Sequence, residues 1–421
     1  MFKKTTLKNG LRIITVPNKG TKAVTCLVLV GTGSKYETKE INGISHLLEH
    51  LFFKGTKKRP NHLKIAEPLD EVGGAYNAFT GEDYTGYYAK VDAKHFDLAL
   101  DIISDIYLNS NLDEKEVKKE KGVVIEEINM YHDNPMAHVQ SLWTKLLYGD
   151  QPAGWDIAGT KKSVLGISRK QLLNYMTKQY NSKNTVVCIA GAVGQGAIDK
   201  VEKHFSGISA NRGTNKQKVA EEQKQPELLL EKRNTDQTHF CLGVRAFNIF
   251  DSRRWSAELL SLILGGMMSS RLFNSVREKL SLCYYIRTST SLDPDTGFLM
   301  TQAGVDNSRV EKAVEAVLKE YRKIAVTKVS QKELKKVKDH IKGKMVLTFE
   351  NSDALASFYG AQELLENNTL TPEQIYDKIN KVTVSDIYNV SKHIFKPQKL
   401  NLALIGPIKS KERLWTILRK F

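Results

Sequence analysis

A chain of 421 residues is too long for one ordinary hydrophobic core, so two domains are expected. With 41% apolar and 26% charged residues it has the composition of a soluble globular protein. The net charge of +16 is spread along the chain in mixed-sign runs such as Glu114-Lys115-Glu116-Val117-Lys118-Lys119-Glu120, which a solvated helix face explains better than a nucleic-acid-binding stripe does, so no nucleic-acid partner is expected. Cys26, Cys188, Cys241 and Cys283 are far apart in apolar surroundings, without a C-x-x-C pair, and are expected to be reduced core residues. No secretory apolar stretch opens the chain, and no run approaches the roughly eighteen apolar residues of a membrane span. A cytoplasmic protein is expected, or one of the mitochondrial matrix if a transit peptide preceded this numbering.

In chain order, Thr5-Thr6-Leu7 and Leu11 to Val16 flank Asn9-Gly10 and predict a hairpin. Val24 to Val30 is a nearly apolar third strand. After a polar loop comes Gly43-Ile44-Ser45-His46-Leu47-Leu48-Glu49-His50-Leu51-Phe52-Phe53, which contains His-x-x-Glu-His. On a helix turning about 100° per residue, His46, His50 and Glu49 share one side, and Leu47 and Leu48 take the other. Two imidazoles one turn apart are able to share a Zn²⁺, and the carboxylate beside them to take a proton from water. The plain alternative is a buried helix that happens to carry these three side chains.

Leu63 to Val72 predicts a helix, Ala75 to Val91 two strands around Gly81-Glu82-Asp83, and Phe96 to Leu108 another helix. Leu112 to Met130 is a long helix capped by Asn111 or Asp113. Within it Glu120 and Glu127 are seven apart and share a face, whereas Glu126 points elsewhere. A hydrolytic zinc site takes three protein ligands and keeps one position open. Glu127 is the candidate third ligand, with Glu120 behind it accepting from a ligand histidine. Helices follow around Val139 to Leu147 and over Arg169 to Tyr180, then the strand Asn184 to Ala190. Gly191-Ala192-Val193-Gly194-Gln195-Gly196 lacks the order and the following Lys-Ser/Thr of a phosphate loop. His132 and His138 read as surface or loop histidines.

Residues 209–226 are polar and aperiodic, a linker between a domain at 1–208 and another at 227–421. Beyond it the order of elements begins again. Strand Thr238 to Val244, helix Trp255 to Leu264, helix Leu272 to Glu278, strands within Tyr284 to Val305, and helices Val310 to Ile324 and Glu333 to Leu347 answer their N-terminal counterparts. Ile387 to Ile394 with Leu400 to Gly406 completes the series at a spacing of roughly 210–220 residues, the mark of an internal duplication. Both halves are therefore expected to be α+β, each a mostly antiparallel sheet with helices packed on it. Only the first carries the His-x-x-Glu-His pattern.

On His46-x-x-Glu49-His50, Glu120 with Glu127, Gly74-Ala75-Tyr76-Asn77-Ala78-Phe79-Thr80, and Arg277-Glu278-Lys279-Leu280-Ser281-Leu282-Cys283-Tyr284, the whole chain resembles the M16 inverzincin zinc metallopeptidases, the pitrilysin and mitochondrial processing peptidase group, in their short two-domain form. The resemblance implies a LuxS/MPP-like metallohydrolase fold and a zinc endopeptidase acting on extended or unfolded peptides inside a chamber. It implies one Zn²⁺ per chain on His46, His50 and Glu127, Glu49 as general base, and Glu120 in support of the catalytic site. Asn77, Ala78 and Phe79 would lie on the edge strand where substrate pairs, and Arg277 and Tyr284 would reach the substrate. Ser281-Leu282-Cys283 stands where relatives often show Gly-Leu-Ala, with the Arg-to-Tyr spacing intact. Longer relatives join four such domains, so this chain is expected to form a homodimer, or a heterodimer with a homologue. The alternative within the same fold is a non-proteolytic assembly subunit like the core proteins of the respiratory bc1 complex.

Overall fold

The computed structural model describes residues 2–211 and 213–421; Met1, which opens the expected N-terminal domain, and Arg212, inside the expected linker, lie outside the described residues. Two compact units are present.

The first unit is built on six strands: β1 (Lys3–Thr6), β2 (Arg12–Pro17), β3 (Ala23–Val30), β4 (Ala75–Thr80), β5 (Thr85–Asp92) and β6 (Thr185–Gly191), in the order β1-β2-β6-β3-β5-β4. Only β2 and β6 are parallel. The near-continuous apolar run of β3 follows from cover on both faces, because successive side chains point to opposite sides. Val24, Cys26, Val28 and Val30 meet Leu47, Leu48, Leu51 and Phe52 of the helix Ile44–Phe52 and the apolar face of the helix Phe96–Asn109. Leu27 and Leu29 face Leu355, Ala356 and Tyr359 of the helix Ser352–Glu366 on the other side. Thr25 and Ser352, both buried, join across that face through their hydroxyls at 2.8 Å. At one side of the sheet β4 pairs only with β5 and is an edge.

The second unit holds β7 (Glu227–Lys232), β8 (Gln237–Arg245), β9 (Cys283–Leu292), β10 (Gly297–Asp306) and β11 (Leu400–Gly406), in the order β7-β11-β8-β10-β9. This repeats β2-β6-β3-β5-β4 strand for strand, including the single parallel pair, β7 with β11. The duplication expected from the order of elements is thus present in the topology. One face of this sheet is covered by Val139, Leu142, Trp143 and Leu147 of the helix Pro135–Tyr148, which meet Cys241, Met300, Ala403 and Ile405.

The compact units depart from the sequence halves at two helices. Pro135–Tyr148 lies before the linker but belongs to the second unit, and Ser352–Glu366 lies after it but belongs to the first. Periodicity reveals that a helix has an apolar face; it carries no record of which sheet that face covers. The sequence reading also passed over Ser352–Glu366 itself, whose buried apolar stripe is narrow, Leu355, Ala356, Tyr359 and Gly360, and is flanked by buried Ser352 and Glu363. Cys26, Cys188 and Cys241 are buried and free as expected, whereas Cys283, at the start of β9, is only partly covered. Among the described residues no helix is long and apolar enough to cross a membrane.

Candidate metal centre

The helix Ile44–Phe52 starts abruptly. Gly43 precedes it with φ +93°, and a Cβ there would lie 2.5 Å from the carbonyl oxygen of Ala158, so glycine is required twice over. Gly43 brings no capping side chain, and the cap comes from Glu37 instead. Its Oε2 accepts the N–H of Gly43 at 2.7 Å and Oε1 that of Ser45 at 2.9 Å, while the Asn42 amide donates to Oε2 at 3.0 Å. Glu37 is 4% exposed. Burial pushes its pKa up to about 7, against the pull of those hydrogen bonds.

The folded chain holds this proton above the ordinary value of 4.5, so the stability it contributes is full below that value and is lost as pH rises through about 7. Glu37→Gln has no such proton. Denaturant midpoints of the two proteins should shift in the variant's favour as pH rises from about 5 to 7 and level off above; a constant difference would show that Glu37 does not titrate there.

With Leu47, Leu48 and Leu51 in the core, His46, Glu49 and His50 are left on the other side of the helix, as the spacing predicted. Facing them is the long helix Glu114–Asp133, capped by Asp113, whose Oδ1 accepts from the N–H of Lys115 at 2.8 Å. Glu120 and Glu127 share its inner side and Glu126 is exposed. Nε2 of His50 lies 3.4 Å and Nε2 of His46 3.5 Å from Oε2 of Glu127. A tetrahedral ion with bonds of about 2.0–2.1 Å holds its donors roughly 3.3–3.4 Å apart, so both histidine-to-carboxylate distances match those around a zinc ion.

Behind them, Nδ1 of His50 donates to Oε1 of Glu120 at 2.9 Å, and Lys54 Nζ donates to the other oxygen at 2.9 Å. This fixes the His50 ring with Nε2 forward, as a histidine ligand requires. Among the described residues, buried Nδ1 of His46 has no such partner.

The carboxylates concentrate positive charge on His50. Burial opposes charge on His50, but Glu120 and Glu127 outweigh it and push the pKa up to about 9. Burial and the neighbouring His50 hold His46 below its ordinary value. The hydrogen bond with His50 holds Glu127 below the usual carboxylate range. Glu49 is moved the other way, upward, by burial, with the Thr80 hydroxyl opposing. That hydroxyl, at the end of edge strand β4, donates to Oε2 of Glu49 at 2.6 Å. Glu37, Lys54 and Thr80 were not singled out from the sequence; for Lys54 the cue was its place one turn after His50, on the side that faces Glu120.

Asn77, Ala78 and Phe79 lie on β4. The N–H of Ala78 is held by Asn77 Oδ1 at 2.9 Å. Arg277 and Tyr284 lie in the second unit and come together there: the guanidinium is 4.5 Å from the Phe273 ring and 5.6 Å from the Tyr284 ring. Tyr284 is 80% exposed on β9, an edge strand. The expected helix around Arg277 is π-type over Phe273–Lys279, closing with the Leu280 N–H on the Ser275 carbonyl at 3.2 Å. Ser281 adopts φ +48°, the left-handed conformation that glycine takes without cost.

A second group, His132, His138 and Glu231, also has its donor atoms within 4.8 Å of one another. His138 Nε2 lies 2.9 Å from Glu231, and Arg233 donates to His132 Nε2 at 2.8 Å and to Glu231 at 2.5 Å. A guanidinium already supplies the positive charge there, so the group reads as an ion-pair cluster and not a metal centre.

Two imidazoles and a carboxylate that converge on one point, with a separate carboxylate beside them, are the donor set that a zinc metallopeptidase uses, here on a duplicated α+β scaffold. Residues 12–161 match the insulinase family, peptidase family M16, and residues 166–341 match the peptidase M16 inactive domain. An uncharacterised zinc protease of Bacillus subtilis is 36% identical over 97% of this chain and 98% of its own length, and one of Streptomyces coelicolor is 32% identical over 97% and 90%. The crystal structure of a protease from Helicobacter pylori superposes with a TM-score of 0.91 at 24% identity, covering 97% of this chain and 99% of that one. The chain belongs to peptidase family M16, in its two-domain form.

Proposed function

We propose that this protein is a zinc-dependent endopeptidase that hydrolyses extended or unfolded peptides. The observation that carries the reading is the convergence of His46 Nε2 and His50 Nε2 on the Glu127 carboxylate, with Glu49 beside them but not among the ligating group. The relatives' description as zinc proteases supports it. When bound, zinc supplies the Lewis acidity that polarises a peptide carbonyl and acidifies water.

The chain's own residues supply the rest. Glu49 takes a proton from the attacking water and returns it to the leaving amine, a task suited to a carboxyl whose pKa burial has raised. Glu120 and Lys54 hold His50 in its ligating orientation. The open edge of β4 accepts an added peptide strand by backbone pairing, and the side-chain bond from Asn77 to Ala78 N–H yields to it. Backbone pairing tolerates most side chains, so cleavage is broad, and folded proteins are poor substrates.

Arg277 and Tyr284 serve in this reading as donors to the substrate's developing oxyanion. Arg277→Ala and Tyr284→Phe are expected to keep zinc and fold while losing about 2–4 kcal/mol in kcat/KM. Wild-type turnover in both would remove them from the mechanism. Because one chain carries both the metal ligands and this pair, the active form is a homodimer that completes a substrate chamber, and sedimentation should give twice the chain mass. Incubation with a mixed peptide library, read by mass spectrometry, tests the function itself. Fragments should appear, stop with a chelator and return with zinc at one ion per chain. Protein without stoichiometric zinc or cleavage would be an assembly subunit of the same fold.

A further inference from the structure

Edge strand β4 and the carboxylate of Glu49 meet at one residue. Along β4, Tyr76 and Ala78 pack on the core face that includes the metal helix, with the Tyr76 and Phe53 rings 6.4 Å apart. Phe79 turns to the opposite face, among Tyr84 and Tyr88. Alternation therefore puts Thr80 on the metal-helix side, where its Oγ1 donates to Oε2 of Glu49 at 2.6 Å. Thr80 pairs with Thr85 across the ladder, and its β-branched side chain has little χ1 freedom, so the donor is held in place. Glu49 has three rotatable bonds and no such restraint of its own. Among the described residues its second oxygen, Oε1, takes no hydrogen bond.

We propose that Thr80 is a positioning residue for the general base: its hydroxyl pins one oxygen of Glu49 so that the other faces the reacting water. This rests on the peptidase reading above. Because Thr80 ends the strand on which a peptide would pair, the substrate's backbone and the base are referenced to the same element, and the reacting carbonyl is registered against Oε1.

Two variants separate the hydroxyl from the shape of the side chain. Thr80→Val is isosteric and removes the donor; Thr80→Ser keeps it. Kinetics on a quenched extended peptide, zinc content, and crystal structures of both variants grown with zinc are the measurements. Thr80→Val should lower kcat by about 10–100-fold with KM within about twofold, since small misplacement of a catalytic group costs on that order. Zinc content should be unchanged, and the Glu49 side chain should lose its single orientation. Thr80→Ser should recover kcat to within about threefold and keep Glu49 in place, given that the donor is retained. The assignment is overturned if Thr80→Val turns over like wild type, if both variants fall equally, or if Glu49 keeps its orientation in Thr80→Val. Absence of chelator-sensitive cleavage by the wild-type protein overturns the peptidase reading instead, and the crystal structures then decide by themselves whether Thr80 sets the carboxylate.

Discussion

Glu49→Gln is expected to keep the metal and lose about 10²–10⁴ or more of kcat. The amide is the same size and still accepts from Thr80, so the local packing survives, but it has no basic oxygen with which to take a proton. Glu49 lies outside the group of donor atoms that surrounds the metal position, so the substitution leaves His46, His50 and Glu127 untouched. His50→Ala is the contrasting case. It removes a proposed ligand and also leaves Glu120, 3% exposed, without the histidine it was holding, so zinc and activity should go together. Zinc content and turnover measured on the same preparations separate the two roles. A zinc-free Glu49→Gln protein, or one with near wild-type turnover, would refute the assignment of Glu49 as base.

Among the carboxylates of the long helix, Glu127→Gln should weaken zinc binding most. Its Oε2 is the atom on which both histidine nitrogens converge, and a neutral amide oxygen neither offsets the ion's charge nor binds it as strongly. Glu120→Gln should cost about 10–100-fold, because it acts through the orientation of His50. Glu126→Gln should cost nothing measurable, since that side chain is turned to solvent. Competition with a chromophoric chelator would rank the three. Greatest sensitivity at Glu126 would mean that the helix presents a different face from the one described.

The candidate metal centre was legible because its residues obey helical arithmetic. His46 and His50 are one turn apart, Glu120 and Glu127 two turns apart, and in each helix the apolar residues claim the remaining side. The supporting residues were less legible, for a physical reason: only Lys54, one turn after His50, left a cue in the spacing. Glu37 reaches its helix across a loop, Lys54 meets Glu120 from another segment, and Thr80 belongs to a strand whose pattern shows only alternation. Such contacts depend on how elements are placed in space, and spacing along the chain has no term for that. The same limit explains why the π-type turn around Arg277 read as an ordinary helix: its composition is that of one. The repeat of strand order was readable, since order is a property of the chain, whereas the choice of sheet made by the helices Pro135–Tyr148 and Ser352–Glu366 was not.

Those two helices make the protein a poor candidate for dissection. A fragment ending in the linker would lack Ser352–Glu366 and leave Leu27, Leu29, Val186 and Cys188 facing water, at a cost of roughly 1.5–3 kcal/mol for each large apolar side chain. The complementary fragment would lack Pro135–Tyr148 and bare Cys241, Met300, Ala403 and Ile405. Neither piece is a self-sufficient domain. Co-expressed, however, each carries the missing cover of the other, so the chain behaves as a mutually templated pair: a nick in the linker should be harmless, while separate expression of the halves should give two insoluble products that become soluble only when made together.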